Sequence, residues 1–431
     1  MEHQLTKVVN VKPAESRALL WSFAYFFCLL AGYYVLRPVR DEMGLASGVK
    51  NLPWLFTATF FVMLAVLPVY GALVAKLPRA RFIPLVYHFF VVNIIIFWVM
   101  LTQGIALGYT AQVFFVWISV FNLFAVSVFW SFMADLYGSE QGKRLFGFIA
   151  AGGSAGALLG PIIAASLAVP IGRANLLIIA ALLLECAVFC AMRLEAAATA
   201  FKAERTDAAK PEQALGGNPL AGLMMIARSP YLAGIATWVA LLSLAGTFLY
   251  FQQAEIVRAL SDDPNKRTAI FAQIDLAVSL LTIVVQFLAT GKLIKRFGAG
   301  PAAAFLPLIF ALGFIALWAT PMLWVVIAFQ AAQRAANFAI SNPAREVLFT
   351  VVEREEKYKA KYVIDNVVFR GSDALFGWVF TALRGAGLEL GAISLATVPV
   401  TAAWFALALS LGRMQEKRAS TDATPPDNER N

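Results

Sequence analysis

Long apolar runs separated by short polar connections fill the chain from about residue 18 to residue 413. Most runs reach the roughly 20 residues that an α-helix needs to cross the hydrocarbon core of a bilayer. The pattern predicts twelve transmembrane helices, at approximately residues 18–40, 52–76, 82–103, 110–136, 144–169, 171–192, 231–258, 268–294, 300–319, 321–345, 361–384 and 391–413.

These spans fall into two groups of six. We predict an N-terminal six-helix bundle over 1–192, a polar cytoplasmic linker over 193–230, and a C-terminal six-helix bundle over 231–413. The remaining tail, residues 414–431, is predicted to be disordered because it is polar and lacks apolar anchors.

Two short features recur in the two halves. A Gly, a Leu two residues later and a basic turn follow span 2 at 71–81 and span 8 at 291–300, and Gly-Ser occurs at 153–154 and again at 371–372. Parallel six-helix repeats joined by a linker characterise the major facilitator architecture. We therefore expect an all-α membrane protein of the major facilitator type, with twelve transmembrane helices in two six-helix halves.

Composition and charge support a membrane protein and indicate its orientation. The chain is 60% hydrophobic and 14% charged, whereas soluble domains are close to half apolar and about a quarter charged. Most of the 35 Lys and Arg residues lie in the termini, the linker and alternate short loops. The positive-inside rule then predicts both termini in the cytoplasm of a bacterial-type inner (plasma) membrane. The net charge of +9 thus indicates topology, and we expect no nucleic-acid partner.

Ionisable residues inside spans are costly and are functional candidates by default. Arg37 and Arg40 close span 1 beside Asp41, and guanidinium groups on one helical face suit oxyanions. The alternative is that they are interfacial anchors paired with Asp41 and Glu42. In span 11, Arg370 lies three residues before Asp373, so the two can pair on one helix.

Other charged positions in the spans have two interpretations each. Arg334 lies near Gln330, Gln333 and Asn337, which indicates either a hydrated inner face or a structural pair with Asp365 or Asp275. Glu255 follows Gln252 and Gln253 and either faces a cavity or lies at its rim. Asp135 either forms a gating salt bridge with Lys143 or Arg144 or contacts the substrate, and Glu185 and Asp275 serve either proton coupling or helix pairing. His88, among aromatic residues, is predicted to be packed, as are Cys28, Cys186 and Cys190.

No nucleophile, metal or P-loop pattern occurs in the sequence, so we expect a transporter rather than an enzyme, with no cofactor and no metal. The glycine-rich run 147–161 is predicted to serve close helix packing. Several cationic groups facing one cavity favour an anionic solute.

Three stretches carry a resemblance to a known family. They are YYVLRPVRD (33–41), FWSFMADLYGSEQGKRLFGF (129–148) and NPAREVLFTVVEREEKYKAKYVIDNVVFRGSD (342–373). They resemble the non-mitochondrial ATP/ADP translocases, the nucleotide exchangers of plastids and intracellular bacteria. The resemblance implies nucleotide transport, with Arg40, Arg370, Glu140 and Glu255 at functional positions. This chain has Arg where the family has Lys at two of them, and Asp135 where the family has Asn.

We therefore expect a monomeric secondary transporter that holds an organic anion between its halves and works by alternating access, with ATP/ADP-type exchange as the specific form. A proton-coupled carrier of another phosphate- or carboxylate-bearing solute is the first alternative. A membrane receptor or a lipid-translocating protein is the second, although a linker of this length leaves no room for a sensing domain.

Overall fold

The computed structural model describes residues 13–76, 79–202 and 219–422, and within these ranges it is helical almost throughout, with no β-strand. The predicted linker residues 203–218, the end of the tail (423–431) and the first twelve residues lie outside them. The first helices are α1 (Pro13–Ala46), α2 (Leu52–Lys76), α3 (Arg79–Thr102), α4 (Leu107–Leu136), α5 (Ser139–Leu167) and α6 (Arg173–Lys202). They are followed by α7 (Pro219–Arg228), α8 (Pro230–Leu260), α9 (Pro264–Phe297), α10 (Ala299–Ala319), α11 (Leu323–Ala336), α12 (Asn342–Leu348), α13 (Arg354–Val363), α14 (Phe369–Gly385) and α15 (Leu390–Asp422).

Eleven helices of the described ranges are long and apolar enough to cross a membrane. The twelfth predicted span, 361–384, is helical as well, through α13, a π-helical segment Ile364–Val368 and α14. Its charged residues, Arg370 and Asp373 among them, keep it out of the apolar set.

Two segments predicted to be polar linker or disordered tail are instead partly helical. Helix α6 continues to Lys202 and α15 to Asp422, and Pro219–Arg228 forms the short helix α7. The extensions are rich in Ala, Glu, Lys, Arg and Met, which have high helix propensity, so the helices continue beyond their apolar sections.

The described residues form two compact units. The first contains α1 to α6 together with Arg258–Leu276, which is the end of α8 and the start of α9; the second contains α7, α8 up to Val257, and the chain from Ala277 onward. In the first unit, Gly152, Gly156 and Gly160 of α5 lie directly against the backbone of α1. This confirms that the glycine-rich run serves close helix packing, as small residues at four-residue spacing do in membranes.

The second unit has an aromatic core and two irregular helices. Trp404 of α15 contacts Trp238 of α8 and Phe310 of α10, with ring centroids 5.6 Å apart in both pairs. Helix α11 runs into a π-helical segment, Asn337–Ser341, before α12, and a second such segment joins α13 to α14. Short π-helical segments occur frequently at functional sites, and both of these lie beside candidate site residues.

Candidate functional site

Arg37 of the first unit is paired with a carboxylate that lies far away in the sequence. Its Nη1 is 3.2 Å from Oδ1 of Asp275, whose side chain is 4% exposed. The guanidinium carbon also lies 5.8 Å from the ring centroid of Tyr34. Asp275, on α9, thus neutralises a cation on α1. Helix pairing was one of the two interpretations of Asp275 from the sequence, but its partner Arg37 was not predicted.

Arg40 interacts with different groups from Arg37, although the two lie three residues apart. Its Nη1 donates to Oδ1 of the neighbouring Asp41 at 3.0 Å, and its guanidinium carbon lies 4.0 Å from the ring centroid of Phe115 on α4. Asp41 is buried. The two arginines therefore pair with separate carboxylates and do not together form one site of unneutralised positive charge.

A third cluster of the first unit was not predicted as a site. Glu42 is completely buried and pairs with both Arg173, at the start of α6, and Arg267, near the start of α9. Arg267 Nη2 donates to Glu42 Oε1 at 2.7 Å, and the backbone N–H of Arg173 donates to Oδ1 of Asn265 at 2.9 Å. The sequence did not single out either arginine, because each lies in the first turn of a helix, next to a connection.

The candidates of span 11 form a compact polar group in the second unit. Asp373 Oδ1 accepts a 2.6 Å hydrogen bond from Ser243 and a 3.4 Å one from Thr247, both on α8. Arg370 Nη1 lies 3.5 Å from Asp373 Oδ2, and the Arg370 side chain is 36% exposed. The predicted pairing of Arg370 with Asp373 is confirmed, in a loose geometry.

The glutamines predicted to face water are instead buried and bonded to neighbouring side chains. Gln330 Nε2 donates to Gln253 Oε1 at 2.6 Å and Gln333 Nε2 donates to Gln330 Oε1 at 2.8 Å, which joins α8 to α11. Gln252 accepts from Ser394 of α15 at 2.8 Å. For these glutamines the interpretation as a hydrated or cavity-facing surface is therefore wrong, because amide groups can satisfy one another inside a helix bundle.

The remaining candidates of the second unit are paired or half-buried. Glu255 accepts from Arg384 of α14 through both carboxylate oxygens, at 3.0 and 2.8 Å. Asp365 lies in the second π-helical segment and accepts from Arg345 of α12 at 2.8 Å. Arg334 is half-buried on α11, directly after the buried Gln333.

His88 and Glu185 lie on the outer surface of the first unit. His88 Nε2 is 3.4 Å from Glu185 Oε2, and their side chains are 52% and 41% exposed. The prediction of a packed His88 was therefore wrong; the residue lies beside a carboxylate of α6 instead of among the aromatic rings. Cys186 is exposed too, whereas Cys190 is buried as predicted.

The candidates near the α4–α5 connection lie at one end of the first unit. Asp135 and Glu140 are exposed there, and the side chain of Lys143 lies outside the described residues. Arg144 pairs with the buried Glu15 of α1 at 3.1 Å. Next to them, burial and, to a smaller extent, the Glu15 carboxylate raise the pKa of Tyr137 to about 12, so its hydroxyl stays neutral beside Ser22, 2.8 Å away.

Comparison with solved structures gives the fold. No protein-family model and no curated protein matches the sequence. A bacterial homologue of the human lysosomal transporter Spinster, inward-facing and unoccupied, is 15% identical with a TM-score of 0.56, covering 96% of this chain and all of that one. An auto-inhibited POT family peptide transporter is 13% identical with a TM-score of 0.61, covering 96% and 99%. An inward-facing bacterial homologue of the iron transporter ferroportin is 11% identical with a TM-score of 0.62, covering 94% and 99%.

The architecture is therefore the major facilitator fold, as predicted from the helix pattern and the weak repeat. At these identities the likeness concerns the fold alone.

Proposed function

We propose that the protein is a secondary active transporter that moves an organic anion across the membrane by alternating access. The observation that carries the proposal is the Arg370–Asp373 pair. Asp373 is held by Ser243 at 2.6 Å, whereas Arg370 reaches it only at 3.5 Å and remains partly exposed. A distance of 3.5 Å is beyond the usual range of a charge-assisted hydrogen bond. An oxyanion can therefore replace Asp373 as the partner of the Arg370 guanidinium, while Ser243 continues to donate a hydrogen bond to the Asp373 carboxylate.

The proposed substrate is a nucleotide of the ATP/ADP type, and the proposed mode is exchange. Support comes from the three family-like stretches, which contain Arg40 and Arg370, and from the rings beside the arginines. Tyr34 lies next to Arg37 and Phe369 next to Arg370, with the guanidinium carbon 5.8 and 5.5 Å from the ring centroids. Guanidinium groups suit phosphate oxygens, and aromatic faces suit a stacked base.

Counter-exchange in proteoliposomes tests the proposal. Labelled ATP should enter vesicles preloaded with ADP and should not enter empty ones. Arg370→Ala should reduce this uptake about tenfold or more, because a hydrogen bond to a charged group contributes about 1.5–3 kcal/mol.

The matched control is Arg413→Ala, which removes an exposed arginine of α15 in the same unit and should leave uptake unchanged. Unchanged uptake in Arg370→Ala would show that Arg370 is not part of the binding site. Failure of the wild-type protein to exchange any nucleotide would refute the nucleotide proposal.

The Arg37–Asp275 pair favours a second candidate, a proton-coupled carrier. A carboxylate that is 4% exposed and paired with arginine inside a span is the kind of group that exchanges a proton for a substrate contact in transporters. In that case an uncoupler should abolish uptake, preloaded counter-anion should be unnecessary, and Asp275→Asn should abolish accumulation. Uptake that requires internal anion and ignores the uncoupler contradicts this candidate.

A further inference from the structure

An apolar groove runs along the first unit where α2 stands away from α3. Its volume is about 1160 Å³, above the roughly 300–1,000 Å³ of ordinary small-molecule pockets. Helix α2 contributes a stripe from Trp54 through Ala58, Val62 and Val66 to Val69. At 1.5 Å per residue this stripe is about 22 Å long, which exceeds one leaflet of a bilayer with a hydrocarbon core of about 30 Å.

The groove is open at its side. Val62 and Val69 of α2 and Leu85 and Phe89 of α3 line it, and each is exposed. The floor is formed by α4, through residues such as Val116, Trp117 and Val120. The occupant can therefore enter laterally and must be long, narrow and apolar over most of its length.

Polar groups occur at one end of the groove. Among its lining residues, Asn51 and Gln112 are the amides, at the starts of α2 and α4. Lys50, directly before Asn51, is exposed, and Trp54 beside it is of the type that marks membrane–water interfaces. This end carries the α1–α2 and α3–α4 connections, which the distribution of Lys and Arg predicts to lie outside the cytoplasm.

We propose that the groove is a binding site for a diacyl glycerophospholipid. The acyl chains lie along the stripe of α2 against α3 and α4, and the headgroup phosphate lies at Lys50 with Asn51 and Gln112 beside it. Among the described residues, Lys50 and the two amides lie at the same end of the groove, and this arrangement complements a phosphate at the end of an apolar body. Such a lipid fills the space beside α2 and supplies the van der Waals contacts that hold helices together in a membrane.

Lipid retention tests this proposal on the full-length protein. Wild-type protein is purified in detergent and washed by repeated detergent exchange to remove loosely bound lipid. The lipid that remains bound is then measured by native mass spectrometry and by lipid extraction. We expect one phospholipid per chain to remain. Val62→Trp and Val116→Trp, which fill the groove, should lower retention at least fivefold, and Val92→Trp, on an exposed face of α3 outside the groove, should retain it.

Lys50→Gln tests the headgroup contact. The protein is reconstituted into mixed vesicles of anionic phosphatidylglycerol and zwitterionic phosphatidylcholine and then purified again in detergent. The wild-type protein should retain the anionic lipid preferentially. Lys50→Gln should lose that preference, and Val92→Trp should keep it. Equal retention in Val62→Trp and wild type would overturn the proposal. The proposal would also be overturned if the wild-type protein were a dimer and Val62→Trp dissociated it, because a second copy of the chain would then occupy the groove.

Discussion

The buried carboxylate of Glu42 is shared by two guanidinium groups, those of Arg173 and Arg267. Removing one partner of a buried ion pair leaves uncompensated charge, which costs about 3–5 kcal/mol. Glu42→Ala leaves both arginines without their carboxylate, whereas Arg267→Ala leaves Glu42 paired with Arg173. We therefore predict that Glu42→Ala lowers the unfolding temperature of the detergent-solubilised protein more than Arg267→Ala does.

The control for this prediction is Glu389→Ala, which removes an exposed carboxylate in the connection before α15. It should leave the melting temperature unchanged within error. A larger effect of Arg267→Ala than of Glu42→Ala would contradict the shared-carboxylate interpretation, because it would place the main stabilising contacts of Arg267 elsewhere.

Some residue-level features followed from sequence alone and others did not. The Arg370–Asp373 pair was predictable because residues three apart share a helix face. Arg267 and Glu42 are 225 positions apart, and Arg384 and Glu255 are 129 apart. No local spacing rule connects such residues, and the choice of partner depends on which helices become neighbours.

At the scale of elements, the approach of α5 to α1 depends on the absence of side chains at one face. A Cβ added to Gly156 would overlap the backbone carbonyl oxygen of Phe27, whereas one added to Gly147 on the same helix meets nothing within 4 Å. We predict that Gly156→Ala destabilises the protein by about 1–3 kcal/mol through overpacking. Gly147→Ala should be neutral or stabilising, by up to about 1 kcal/mol, because alanine is the better helix former.

Thermal unfolding of the two variants in the same detergent measures this contrast. Equal melting temperatures for Gly156→Ala and Gly147→Ala would show that α1 can move away from α5 without cost.

The two π-helical segments are a second feature of this scale. The residues around Asn337–Ser341 and Ile364–Val368 did not predict them, since an extra residue in one helical turn has no clear sequence signature.

At the scale of the whole molecule, topology is the property that the basic residues predict. The positive-inside rule places the α8–α9 connection outside and the segment between α12 and α13 inside. In a background with Cys28, Cys186 and Cys190 replaced by Ser, we predict that Asp262→Cys reacts with a membrane-impermeant thiol reagent in intact cells. Glu353→Cys should react only after the membrane is permeabilised; both positions are exposed. The opposite labelling pattern would invert the predicted orientation.

The sequence alone was enough to predict a membrane protein, its spans and its fold class, because runs of apolar residues long enough to cross a bilayer are a local property of the chain. It also marked Arg37, Arg40, Arg370 and Asp373 as costly residues that need partners. The structure was needed to show which carboxylate neutralises which arginine, that the glutamines bond to one another instead of facing water, and that α2 leaves an open apolar groove. These features depend on how helices far apart in the chain pack side by side, and in an apolar bilayer every span looks alike until packing distinguishes its faces.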